Sequence, residues 1–124
     1  TQSPNPSYQN EQVNEDVIEE IQCFKVELLA YGITFESLIQ SAPKHTRTRS
    51  ELIHLSRRIA SDMAMMTNIS TKRHLPMQEI TLKYGTTKKV LKSHRNFILA
   101  CTIVFEKHYT TMMTYLKVRG ENHD

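Results

Sequence analysis

The stretch Thr87–Glu106 constrains the fold more than any other, because twenty residues pass without a glycine or proline. At 100° per residue, Lys88, Lys89, Lys92, Ser93 and Asn96 share one polar stripe, with Val90, Leu91, Phe97, Ile98 and Cys101 opposite. Beyond Asn96 the stripe ends, since Leu99 and Ile103 fall on its continuation. A helix that is apolar on all sides is buried. The pattern predicts one long helix with its second half wrapped by the domain and its first half presenting a basic face.

The rest of the chain supports a helical domain. Three glycines and four prolines in 124 residues are too few for the turns of a β fold of this size. No apolar run is long enough to span a membrane, and no signal-peptide pattern opens the sequence. Cys23 and Cys101 occupy apolar helical positions and read as two buried, reduced thiols.

Charge is unevenly distributed. Residues 1–43 hold one lysine against seven acids, whereas residues 44–124 hold fifteen bases and six acids. Between positions 72 and 95, Lys72, Arg73, Lys83, Lys88, Lys89, Lys92 and Arg95 face Glu79 alone. Such a local excess is the electrostatic footprint of a polyanion partner.

In chain order, residues 1–10 are rich in Pro, Ser, Asn and Gln and read as a linker, so the chain is expected to be one domain of something longer. Val13, Val17, Ile21, Phe24, Leu28 and Tyr31 form one helical stripe. Glu11, Glu15 and Asp16 are expected in the first turns of that helix, and Gly32 at its C-terminal cap. The Glu15/Glu19 pair reads as a solvated face. Thr34 caps a short helix over 35–40 that Pro43 terminates. A third helix opens at Thr46 or Thr48 and runs to about Ser61, with Leu52, Leu55 and Ile59 inward and Arg47, Arg49, Arg57 and Arg58 mostly outward. Met63, Met65 and Met66 read as adaptable core filler. Residues 68–74 read as a polar connection.

Leu75-Pro76 then opens a helix with proline at its first position, and Gly85 stops it. Met77, Ile80 and Tyr84 point inward. Thr86 and Thr87 follow, Thr87 as the hydroxyl cap of the long helix. A glycine at the turn, a cap two residues later and an inward Val90-Leu91 match the spacing of a helix-turn-helix over about 76–106. The expected fold is an all-α multi-helix bundle spanning 11–119, with residues 120–124 as a tail. It contains a C-terminal helix-turn-helix with a long buried recognition helix. The candidate DNA-binding residues are Arg73, Thr86, Thr87, Lys88, Lys89, Lys92, Ser93, Arg95 and Asn96.

Residues 74–119 resemble the C-terminal domain of SigI-type alternative sigma factors of Gram-positive bacteria. The resemblance rests on Leu75-Pro76-Met77-Gln78-Glu79-Ile80 through Gly85, then Lys88-Lys89, Arg95 and Phe97-Ile98-Leu99-Ala100. Tyr31-Gly32-Ile33-Thr34-Phe35, Pro43-Lys44-His45 and the closing Tyr109–Leu116 are also similar to family motifs. Lys92, Ser93 and His94 depart from the family's usual Glu, Arg and Asn, which bears on the promoter read. The resemblance implies cytoplasmic binding of the −35 promoter element and attachment to core RNA polymerase through another domain. It also implies sequestration by the cytosolic N-terminal domain of a membrane-anchored anti-sigma factor. In cellulolytic clostridia such factors carry outward-facing carbohydrate-sensing modules.

The alternatives are a stand-alone helix-turn-helix regulator and a helical adaptor that binds no DNA. No enzyme, cofactor or metal is expected. His45, His54, His74, His94, His108 and His123 show no ligand-like pairing, and no phosphate loop or nucleophile motif occurs. His94 reads as a hydrogen-bonded structural residue.

Overall fold

The computed structural model describes the backbone of residues 6–121 and the side chains of residues 14–116. Within them the chain forms eight helices and no strand: α1 (Pro6–Leu29), α2 (Phe35–Ser41), α3 (Thr46–Ala60), α4 (Met63–Lys72), α5 (Met77–Tyr84), α6 (Lys88–Ser93), α7 (Arg95–Glu106) and α8 (Thr110–Glu121).

The centre of the bundle is α7, where nine consecutive residues, Phe97–Phe105, are buried. The all-round apolar pattern leaves this helix no face that water solvates well, so neighbours cover it on every side. The chief neighbour is α3, through Leu52, Leu55 and Ile59. Ser56 stands at the contact with no exposure, and its small side chain lets the two backbones approach. Its hydroxyl donates to Leu52 O at 2.7 Å and to Ile98 O at 3.3 Å, while Thr102 donates to the same Ile98 carbonyl at 2.7 Å. Both buried hydroxyls therefore have the partners that burial requires.

The α1 stripe packs on this core, with Phe24 and Leu28 buried and Val17, Ile21 and Tyr31 half-buried; Val13 lies outside the described side chains. Phe24 meets the rings of Phe35 and Tyr109, each with centroids 6.0 Å away. The helix ends in a Schellman cap. Gly32 N donates to Leu29 O at 2.9 Å and Ile33 N to Leu28 O at 3.0 Å, with Gly32 at φ +73° and Ile33 buried against the end. Glu20 caps a different element: its two carboxylate oxygens accept from the backbone of Thr111 (3.2 Å) and Met112 (2.8 Å), closing the first turn of α8 with a negative charge. Glu15 and Glu19 are exposed, as a solvated face requires.

Thr34 caps α2 as expected, and Ser37 closes a capping box with it, Thr34 Oγ1 accepting from Ser37 N at 3.1 Å and Ser37 Oγ from Thr34 N at 2.9 Å.

Several expectations are corrected. Helix α1 begins at Pro6, so residues 6–10 are helical, and no acid stands in its first turn. Proline is compatible with a helix start because its missing N–H would have no partner there. At the other end α8 runs to Glu121. Cys23 is exposed, on the solvent side of the α1 stripe, and only Cys101 is buried. Residues 68–72 continue α4 because Ile69 supplies a fully buried anchor, and Asp62 caps that helix. Met65 and Met66 fill the core but Met63 points to solvent. Pro76 is the N-cap of α5, not its first residue.

The largest correction concerns the long helix, which is interrupted at His94. That residue adopts φ −124°, ψ 27°, away from helical values, and separates α6 from α7. The hydrogen bonds nearly span the break, with His94 N donating to Val90 O at 3.1 Å and Ile98 N to His94 O at 2.9 Å. Only Leu91 is fully buried in α6, so the recognition segment is short and lies on the surface.

Candidate nucleic-acid interface

The α5–turn–α6 unit is assembled from its base. Asp62 caps α4 by accepting from Met65 N at 3.1 Å. Its other carboxylate oxygen accepts from Tyr84 Oη at 2.9 Å and from Lys83 Nζ, both at the C-terminal end of α5. The Lys83 and Met65 hydrogen bonds hold this carboxyl down, at about 2 against an ordinary 3.8. Asp62 in turn raises Lys83, and burial with the Asp62 hydrogen bond raises Tyr84. The Arg58 guanidinium stacks over the Tyr84 ring, 4.8 Å from its centroid. One carboxylate thus joins α4 to α5, and an α3 arginine covers the joint.

Gly85 then turns the chain at φ +73°, donating to Thr81 O at 3.1 Å. A Cβ there would meet nothing within 4 Å, so the need for glycine is one of backbone conformation and not of space. Thr87 Oγ1 accepts from Val90 N at 3.2 Å and starts α6, and Leu91, fully buried, fixes it to the bundle.

This geometry places the sequence-derived candidates in three groups. Lys88, Lys89, Lys92, Ser93 and Arg95 are exposed on or beside α6. Lys92, Ser93, Arg95 and the half-buried Asn96 line one groove, whose other walls are Ser41 and Met77. Thr86 lies on the other side, in a groove with Arg58, His54, Tyr84 and Val90, while Thr87 is occupied as the cap. Arg73 belongs to neither groove: it closes α4 in a left-handed conformation (φ 58°), with its guanidinium 5.2 Å from the centroid of Tyr31. The basic excess is also smaller than the residue count suggests, because Lys83 is neutralised by Asp62. Two residues that organise the site were not among the candidates, Asp62 and Arg58. Asp62, directly before a methionine-rich helix, fits the N-cap pattern, and Arg58 carried only the signal of an outward arginine.

Among the described residues, no three His, Cys, Asp or Glu side chains are grouped to hold a metal ion, and no helix is long and apolar enough to cross a membrane.

No family model matches the chain. The RNA polymerase sigma factor SigI of Bacillus anthracis is 35% identical to it over 117 residues, covering 94% of this chain and 48% of that protein. The chain is homologous to the SigI sigma factors. RNA polymerase sigma factor SigI3 of Acetivibrio thermocellus is 29% identical over 102 residues, and SigI of Bacillus subtilis 28% over 99. These alignments cover 82% and 80% of this chain, and 41% and 39% of the respective relatives. The chain spans about half the length, or less, of the curated relatives it matches.

Proposed function

We infer that this SigI-type chain is the promoter-recognition domain of an alternative sigma factor, binding the −35 element through α6 and the turn before it. One observation carries the reading: Lys88, Lys89, Lys92 and Arg95 stand exposed on a short segment held rigidly from below by Leu91, and among the described residues none of them is in an ion pair. Cations outside any ion pair can displace counterions from a phosphate backbone without first breaking a salt bridge. The N-terminal end of α6 adds the partial positive charge of its first-turn amides.

In this reading the remainder of the protein attaches to core RNA polymerase, and the complex works in the cytoplasm, where promoter DNA is found. The cytosolic N-terminal domain of a membrane-anchored anti-sigma factor inhibits it by covering the basic face, to which an acidic surface would be steered.

The test is fluorescence anisotropy with a labelled promoter duplex and a scrambled duplex, followed by titration of the anti-sigma domain at fixed salt. Promoter preference together with mutually exclusive binding of DNA and inhibitor supports the reading. Equal affinity for both duplexes removes promoter recognition. A stable ternary complex removes the covering mechanism and moves the inhibitor to the helices before Pro43.

A further inference from the structure

Helices α1, α2, α3, α7 and α8 line a cavity of about 170 Å³ that opens to the surface. Its floor is Phe97, Cys101 and Val104 of α7, and its walls include Leu38 and Leu116. At its mouth stand Ile39 and Tyr115, both exposed apolar residues. Among the described residues, the single charged side chain in the lining is Arg49 of α3.

Arg49 is the unusual member. Its guanidinium lies over the Phe97 ring, 5.2 Å from the centroid. Its Nε is buried and, among the described residues, has no hydrogen-bond acceptor. The side chain as a whole is half-buried, so a ligand acceptor would meet Arg49 through the part that lines the cavity and not through the sealed Nε. Cys101 cannot supply an acceptor as an anion, because burial pushes its thiol up to about 12 and keeps it protonated. Glu51, two positions along α3, is engaged elsewhere, pairing with Arg47 at 3.2 Å.

The cavity therefore asks for two things in one ligand, an apolar body and an anionic oxygen pair at one end. An apolar cavity of about 150 Å³ holds a benzene ring, so this one accommodates a body of roughly six to eight carbons. A guanidinium presents its N–H groups in a planar fork that matches a carboxylate. We propose that this cavity is a binding site for a small apolar monocarboxylate, its chain among Leu38, Cys101 and Leu116 and its carboxylate on Arg49. The charge complementarity of Arg49 selects this occupant over a neutral one. The proposal does not rest on promoter recognition.

The experiment is a methyl and amide NMR titration of the chain with octanoate, octanol and octylamine. A ligand of about ten heavy atoms in a preformed apolar site binds with a Kd on the order of 0.1–1 mM. Octanoate should give saturable shifts at the Leu38, Met112 and Leu116 methyls, with octanol at least tenfold weaker and octylamine weaker still. Arg49→Met should remove the preference for octanoate over octanol, and Arg49→Lys, which keeps a cation, should retain part of it. Equal binding of octanoate and octanol would overturn the proposal by showing a merely apolar hole. Shifts confined to the Lys88–Arg95 amides would place the carboxylate on the basic face instead, and absence of shifts at 10 mM ligand, about ten times the weakest expected Kd, would exclude the site. Sedimentation of the same samples completes the test, since a dimer dissociated by octanoate would mean that a second copy of the chain fills the groove, which also overturns it.

Discussion

His94 Nδ1 lies 2.8 Å from the backbone carbonyl oxygen of Ser41. Ser41 is the last residue of α2, and its carbonyl is among those that a helix end leaves without an intrahelical partner. A carbonyl oxygen can only accept, so in this bond Nδ1 is the donor. The bond ties the break between α6 and α7 to α2, and so sets the angle at which the basic segment leaves the core. His94→Ala removes the donor and leaves a partly buried acceptor unpaired. It should lower unfolding free energy by about 1–2 kcal/mol in urea titrations. His94→Asn, whose amide can donate, should recover part of that loss, and an unchanged midpoint in both variants would show the bond to be incidental.

The Asp62 junction predicts an acid transition. Its carboxyl is depressed in the folded state, to about 2 from an ordinary 3.8. A depressed carboxyl contributes stability that is present above the unfolded-state value and is lost as pH falls through the folded-state value. The contribution should therefore be complete above about pH 4 and fade between about pH 4 and pH 2. Thermal melts should show Asp62→Asn with a weaker dependence on pH across that window than the parent chain. The raised Lys83 works at the opposite end: its contribution is present below its ordinary 10.5 and is lost as pH rises through its higher folded-state value.

These two contacts mark what the sequence could and could not show. The cap at Thr34, the left-handed cap at Gly85, the hydroxyl cap at Thr87 and the buried faces of α3 and α7 follow from local spacing, and local spacing determines them in the structure. The break at His94 was not legible, because nothing in Lys92-Ser93-His94-Arg95 disfavours a helix. It arises where His94 meets a carbonyl 53 positions away. The same holds for Glu20 and Asp62, whose partners lie 91 and 21 positions further on. On the basic face, the exposure of Lys88, Lys89 and Lys92 was legible from periodicity. The pairing that takes Lys83 out of the excess, and the aromatic seats of Arg58 and Arg73, are tertiary.

Phe24 is the strongest single anchor of α1, buried between Phe35 and Tyr109. Phe24→Ala removes a large apolar side chain and leaves a cavity, at a cost of about 3–5 kcal/mol. A small domain has only about 5–15 kcal/mol in total, so circular-dichroism melts should shift by many degrees or show no cooperative transition. Cys23→Ser, on the exposed side of the same helix turn, should leave the melt unchanged within about 0.5 kcal/mol. A melt unaffected by Phe24→Ala would show that α1 is peripheral to the bundle.

The last prediction separates roles on the basic face. Lys88 and Lys92 project from α6 itself, whereas Arg73 sits at the end of α4, held over the Tyr31 ring and outside both grooves that border the recognition segment. A cation in the first position can meet base edges when α6 enters a groove. A cation in the second can reach only the backbone that flanks it. Lys88→Ala and Lys92→Ala should therefore change sequence preference, at about 1–3 kcal/mol per lost base contact. Arg73→Ala should weaken all duplexes by a similar factor and preserve their order. Salt dependence gives a second readout that does not depend on knowing the promoter. With about four to six phosphate contacts, log affinity should fall against log salt with a slope of roughly −4 to −5, and Arg73→Ala should reduce that slope by about 1. If Lys88→Ala and Lys92→Ala kept full discrimination between promoter and scrambled duplexes while Arg73→Ala lost it, the reading element would be the end of α4 and not α6.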